Sequence, residues 1–347
     1  MNLKLFQNTT DFWVPTFLLN SDLSWTHLPL FILQFFLILI TSWLIIFSII
    51  LMRNHQKLHP NATWILIITC AAWFECAIGM MLILPYKYGV ISLEEPSKVY
   101  YGFESDEFLS LEISWKSGPL ILGSVLVWHY LGLLNGGIAI FVVERSIATL
   151  LLSDYELKPR RWIFWFLMAA HQLSATNLCL ICTFHMLPLN ILLGFNVLGM
   201  LFFVPHIYFL RYYNKTARNR LRLAENITKH SLTAKFQTEE NVRSMNIATS
   251  LASVAGVFNI FYLIIIFLAT QRAPGAEIFF QATEIVLFFN PIFTIPGVIW
   301  GVPDWKRRFL GYLGMGSLRV DPRHNPYMVP DSNLSRVHFS QLDTLWI

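Results

Sequence analysis

Residues capable of chemistry are few in this chain, and most stand in apolar surroundings. Cys179-Leu180-Ile181-Cys182 has the spacing of a metal or redox CxxC motif, His129 and His171 offer imidazoles, and Glu75 and Glu284 offer carboxyls. Glu144-Arg145 sets an acid beside a base where a long apolar run stops. A zinc hydrolase would need three His or carboxylate ligands converging on one point. By helix rise His129 and His171 could lie level, but His185 and His206 fall near the ends of their segments and supply no third ligand. Neither HExxH nor GxSxG occurs. The chain therefore reads as no enzyme, with no metal and no cofactor. Cysteine in an apolar helix behaves as a small hydrophobe, and that is the reading for Cys70, Cys76, Cys179 and Cys182.

The segments that carry these groups are set by composition. With 55% hydrophobic and 13% charged residues and a mean hydropathy of +0.52, the chain has about half the charge of a soluble globular protein. A helix crossing the hydrocarbon layer needs roughly 20 apolar residues. Clear runs of that kind are 28–52, 63–84, 118–143, 246–269 and 278–301. Between Arg161 and Arg211 lie 49 residues without Asp, Glu, Lys or Arg, interrupted by His185-Met186-Leu187-Pro188-Leu189-Asn190. That stretch is long enough for two spans, 162–187 and 188–210. The expected fold is an all-α, seven-transmembrane helix bundle.

Orientation follows from charge, because Lys and Arg accumulate in cytoplasmic loops. Segments 53–62, 144–161, 211–245 and 302–347 hold 20 of the 25 Lys and Arg residues; segments 1–27, 85–117, 187–190 and 270–277 hold five. This predicts an extracellular N-terminus, 1–27, a bundle over 28–301, and a cytoplasmic tail, 302–347. The first span is expected to act as an uncleaved anchor. Asn8 heads the one Asn-x-Ser/Thr sequon on the outer side and is the expected glycosylation site. The formal charge of +4 is spread over the inner loops and calls for no nucleic acid.

Charged and polar residues inside spans are costly and should face the bundle interior. Glu75, His129 and Glu284 are candidates to line one polar pocket among aromatics such as Trp73, Trp128, Tyr130, Phe280 and Phe288. Satisfied contacts between helices are the alternative reading of the same three residues. Asn290-Pro291 in the last span predicts a kink, since proline removes a backbone donor and the preceding Asn can occupy the freed groups. Pro303-Asp304 then opens a short amphipathic helix, 304–313, with Trp305, Phe309, Tyr312 and Leu313 on one face, suited to lie on membrane lipid.

Two blocks of sequence resemble a known family. Glu144-Arg145 with Ala148-Thr149 and Asp154-Tyr155-Glu156, and the stretch FNPIFTIPGVIWGVPDWKRRF, are similar to the patterns of the nematode serpentine receptor class epsilon chemoreceptors. The resemblance implies a G-protein-coupled receptor architecture, a small-molecule ligand, a heterotrimeric G protein as partner, and a place in the plasma membrane of sensory neurons. It also implies that Glu144 holds Arg145 in the resting state, with Asn290-Pro291 as a second part of the switch. Relative to rhodopsin-like receptors, Ser146 stands for Tyr in the Asp/Glu-Arg-Tyr motif, Thr294 for Tyr in Asn-Pro-x-x-Tyr, and no cysteine pair is placed to staple the outer ends. The alternative function is a seven-helix ligand-gated channel or transporter.

Overall fold

Apolar segments with no water to bond must satisfy their peptide groups internally, which selects helices. In the computed structural model they form α1 (Leu28–Asn54), α2 (Pro60–Ala71), α3 (Trp73–Lys87), α4 (Gly118–Leu150) and α5 (Arg161–Thr183). They continue as α6 (Leu189–Ala224), α7 (Leu232–Thr270), α8 (Ala276–Phe288), α9 (Asn290–Gly301) and α10 (Pro303–Tyr312). The structure describes residues 2–5, 10–16, 18–19, 25, 27–54, 59–93, 100–101, 109–110, 114–151, 160–224, 232–270 and 276–315. Asn8 and Asp154-Tyr155-Glu156 lie outside the described residues.

Among the described residues, six helical stretches are long and apolar enough to cross a bilayer, the second of them formed by α2 and α3 together. The pair α8 and α9, bent by 46°, makes a seventh if it crosses as one span. Between α2 and α3 the Glu75 N–H bonds back three residues to Ala72 O, so a single tightened turn, without proline, breaks the expected run 63–84. α4 runs to Leu150, seven residues past the expected end at Val143, so Glu144-Arg145 lies within a helix and does not end one. α6 and α7 likewise extend beyond their apolar windows, to Ala224 and back to Leu232.

Among the described residues, five short strands lie outside the bundle: β1 (Asn2–Leu5), β2 (Thr10–Trp13), β3 (Leu18–Leu19), β4 (Tyr100–Tyr101) and β5 (Leu109–Ser110). β1 pairs antiparallel with β2, Leu3 opposite Phe12, and parallel with β5, while β3 pairs antiparallel with β4. They join the N-terminal segment to the loop between α3 and α4.

Helices in lipid gain little from hydrophobic exclusion, so they associate by close packing at small residues. α3 and α4 meet at Gly79 and Gly123, where an added Cβ on either would stand 2.8 Å from the other's carbonyl oxygen. α4 and α5 meet at Gly132, where a Cβ would stand 2.8 Å from Ala175 O. The interior is filled by Ile45, Ile65, Trp73, Leu120, Tyr130, Phe141 and Phe289, while Phe36, Trp43, Leu201 and Phe202 face outward as a lipid-facing surface requires. Gly132→Leu should force α4 from α5 at a cost of about 1–3 kcal/mol, read as a lower melting temperature of the purified protein in detergent. Gly194→Ala, where a Cβ meets nothing within 4 Å, should leave it unchanged. Equal melting of the two variants would rule out backbone contact at this crossing.

Candidate functional site: a capped cavity and a buried arginine

The bundle encloses a cavity of about 630 Å³. Its wall is mainly apolar and includes Trp73, Trp128, Tyr130 and Phe288, with hydrogen-bonding groups at Asn135, Asn196, Asn259 and Tyr262. One end is covered by the N-terminal segment. Trp13, Val14 and Thr16 are buried and line the cavity with Pro15. The cover is fastened at several points: Trp128 Nε1–H donates to Trp13 O at 2.7 Å, and the Trp13 ring stands 4.8 Å from Trp128 and 5.2 Å from His185.

Glu284, on α8, is the fastening with the most chemistry. Thr16 Oγ1–H donates to its Oε1 at 2.8 Å, and Lys87, at the end of α3, forms a buried ion pair with its Oε2. Both charges are almost wholly removed from solvent. A buried ion pair is weak evidence for net stability, but losing one partner alone is costly. The pair therefore fixes α3, α8 and residue 16 in one arrangement. Tyr88 is buried next to it, with Lys87 Nζ 5.4 Å from its ring centre; burial first, and the Glu284 charge second, push its phenol above the ordinary tyrosine value.

Of the three expected pocket residues, only Glu284 lines the cavity. Glu75 and His129 pair with each other instead: His129 Nδ1 lies 2.8 Å from Glu75 Oε1, and its Nε2 lies 3.1 Å from Gln172 Nε2 on α5. Helical phase accounts for the difference. Glu75 follows Trp73 by two residues, about 200° around the helix, so the Trp73 that faces the cavity turns Glu75 toward the α4 and α5 side. Phe280, also expected at the pocket, is buried but does not line it.

The bend between α8 and α9 is built from Asn290-Pro291. Proline has no N–H, so Leu287 O loses its usual helical donor; Asn290 Nδ2–H occupies it at 2.9 Å. Ile292 N–H donates to Phe289 O, one residue short of the helical pattern, and Phe288 O accepts from Trp73 Nε1–H at 2.9 Å. Asn290 Nδ2 also donates to Tyr130 OH at 3.0 Å. Two cavity-lining aromatics, Trp73 and Tyr130, are thus bonded directly to the bend.

At the far end of α4, Glu144 and Arg145 are both buried. Arg145 grips Glu144 bidentately, through Nε–H to Oε2 and Nη2–H to Oε1 at 2.6 Å. Its Nη1 donates to Ser244 Oγ at 3.2 Å and Asn241 Oδ1 at 3.4 Å, both on α7. His59 Nδ1, at the start of α2, lies 4.0 Å from Glu144 Oε1. Ser146 Oγ lies 3.1 Å from His206 Nε2 on α6, and Asn214 Nδ2 on α6 donates to Thr149 Oγ1 at 3.0 Å. Arg145 and its neighbours tie α4 to α6 and α7.

Lys87, Thr16, Asn241 and Ser244 escape sequence reading. Lys87 and Thr16 stand in stretches that count as outer loops, and Asn241 and Ser244 in one whose charge marks it as an inner loop. The spacing of Asn241, Ser244 and Ala248 along one helical face is the signal that could have found the latter pair.

The Sre G protein-coupled chemoreceptor family model matches residues 1–347. The chain is 26% identical to Serpentine receptor class epsilon-38 of Caenorhabditis elegans, over 99% of this chain and 100% of that protein. It is 27% identical to Serpentine receptor class epsilon-31 of the same organism, over 89% of this chain and 87% of that one. With Serpentine receptor class epsilon-37 it shares 27% identity, over 89% and 88% of the two chains. With apolar helices enough to cross a membrane six or seven times and a family match along its whole length, the chain belongs to the Sre family of G protein-coupled chemoreceptors.

Proposed function

We propose that the chain is a plasma-membrane receptor of sensory neurons that binds a small external chemical in the bundle cavity and activates a heterotrimeric G protein. Its N-terminus and the Trp13–Thr16 cover face outside; α10 and the Arg145 end face the cytosol, as the distribution of Lys and Arg indicates. Asn8 is glycosylated on the outer side. The observation that carries the reading is the bond between Tyr130, a wall of the cavity, and Asn290, the residue that shapes the bend.

A ligand pressing on Tyr130 or Trp73 acts on the α8–α9 bend through single hydrogen bonds. α9 packs against α7, and α7 carries Asn241 and Ser244, which hold Arg145. Tyr130 and Arg145 are also two points on one helix, roughly 22 Å apart by helix rise. A ligand that fits better when the bend and α7 are displaced releases Arg145 toward the G protein. It shifts that equilibrium only by its difference in affinity for the two arrangements, about 1.4 kcal/mol for each factor of ten. In this reading Lys87 and Glu284 fasten the cover, and Glu75 and His129 brace α3 against α4 outside the ligand site.

A screen of volatile and water-soluble chemicals on cells expressing the receptor with a promiscuous G protein supplies an agonist for testing. Arg145→Ala alone would leave the Glu144 carboxyl buried without its partner, at about 3–5 kcal/mol, so the double variant Glu144→Gln/Arg145→Ala is the cleaner probe. It should reach the surface yet give no agonist-evoked signal; a retained signal refutes the role of Arg145. Tyr130→Phe keeps the ring and removes the acceptor for Asn290, a bond worth about 1 kcal/mol. The maximal response should fall at unchanged surface level, and an undiminished response would take Tyr130 out of the coupling route. An epitope at the N-terminus should be stained in intact cells and one at the C-terminus only after permeabilisation; the reverse would overturn the topology and favour the channel alternative.

A further inference from the structure

We propose that ligands enter the cavity sideways from the bilayer, through a cleft between α5 and α6, and are membrane-dissolved molecules with an aliphatic body and one hydroxyl or carbonyl head. The inference rests on the cavity being the ligand site.

The opening follows from how the helices pack. α5 packs along α4, and α6 packs along α7, yet α5 and α6 scarcely touch although they are consecutive. Both nevertheless wall the cavity, α5 through Ser174 and Leu178 and α6 through Phe195, Asn196 and Gly199. Lining residues around this gap carry open surface: Ser174 on α5 and Asn135 on α4 are exposed, and Phe195 on α6 is 59% exposed. Lining side chains with that much open surface, beside a consecutive helix pair that scarcely touches, point to a passage between α5 and α6. A Cβ on Gly199 would meet nothing within 4 Å, so the passage is empty where α6 borders it.

The flank lies inside stretches apolar enough to be spans, 161–183 and 191–220, so the passage opens onto hydrocarbon. The opposite approach, from the Trp13 end, is covered by buried Trp13, Val14 and Thr16 and locked by the Lys87–Glu284 ion pair. A molecule already dissolved in lipid meets the lower barrier.

The chemistry of the rim sets the head group. Asn196 Nδ2–H donates to Asn135 Oδ1 at 2.8 Å, placing two amides at the lipid-facing threshold, where polar side chains are costly. One bond uses only part of the donors and acceptors of two amides. Ser174 adds a hydroxyl across the cleft. These groups match a neutral hydroxyl or carbonyl, and the apolar wall beyond them matches an aliphatic body.

A decanol analogue bearing a diazirine, dissolved in the bilayer of nanodiscs that hold the purified receptor, tests the route by photolabelling and mass spectrometry. Label should fall on the cavity residues Met200 and Tyr262 and be competed by plain decanol. Gly199→Trp, and separately Ser174→Phe, should lower it at least about tenfold without lowering the melting temperature. Label confined to outward-facing Leu198 and Leu201 would mean general lipid contact only and overturn the proposal. So would cavity label undiminished in both variants, or a cross-linked second copy filling the cleft. Labelling needs no G protein, so cavity label together with silence towards every compound screened would sink the receptor reading and leave the passage standing.

Discussion

Hydrocarbon offers no hydrogen bonds, so each polar group this chain carries into the membrane must find its partner within the chain. The guanidinium of Arg145 answers with Glu144 and two polar residues of α7. Glu284 answers with Lys87 and Thr16, and the carbonyls freed by Pro291 answer with Asn290 and Trp73. The contacts that satisfy these groups are also the ones that join helix to helix. The places where the bundle is held and the places where it could rearrange therefore coincide.

α4 gathers these joints on one rod. It meets α3 and α5 backbone to backbone at glycine, fastens the N-terminal cover through Trp128, reaches the α8–α9 bend through Tyr130 and carries Arg145 in its last turns. Gly132 and Gly137 leave it slim at midspan, where Ala175 and Thr69 press against it. A rod packed this closely transmits displacement with little slack, because protein interiors are dense and barely compressible.

The bundle was readable because span length is imposed by bilayer thickness and a run of oil can do little else. The bend was readable too, since Asn290-Pro291 combines a missing donor with a side chain able to replace it. Helical phase was harder: Glu75, His129 and Glu284 all stand inside apolar runs, and only packing decides that Trp73 faces the cavity while Glu75 turns away. The partners of Arg145 were hidden because Asn241 and Ser244 lie in a stretch whose density of charge reads as loop, although α7 already begins at Leu232. Thr16 was hidden for a different reason. It bonds a residue 268 positions away in sequence, and no local periodicity encodes a contact of that range.

The cover at Trp13–Thr16 gives the cavity one wall that is not a membrane helix. Insertion into the bilayer depends on the apolar spans, whereas this wall depends on a few residues of a strand end and the turn after it. Lengthening, shortening or recomposing that segment re-lines the chamber while every span keeps its hydrophobicity. One part of the cavity lining is therefore written outside the segments that secure membrane insertion, and that part can change without taxing them.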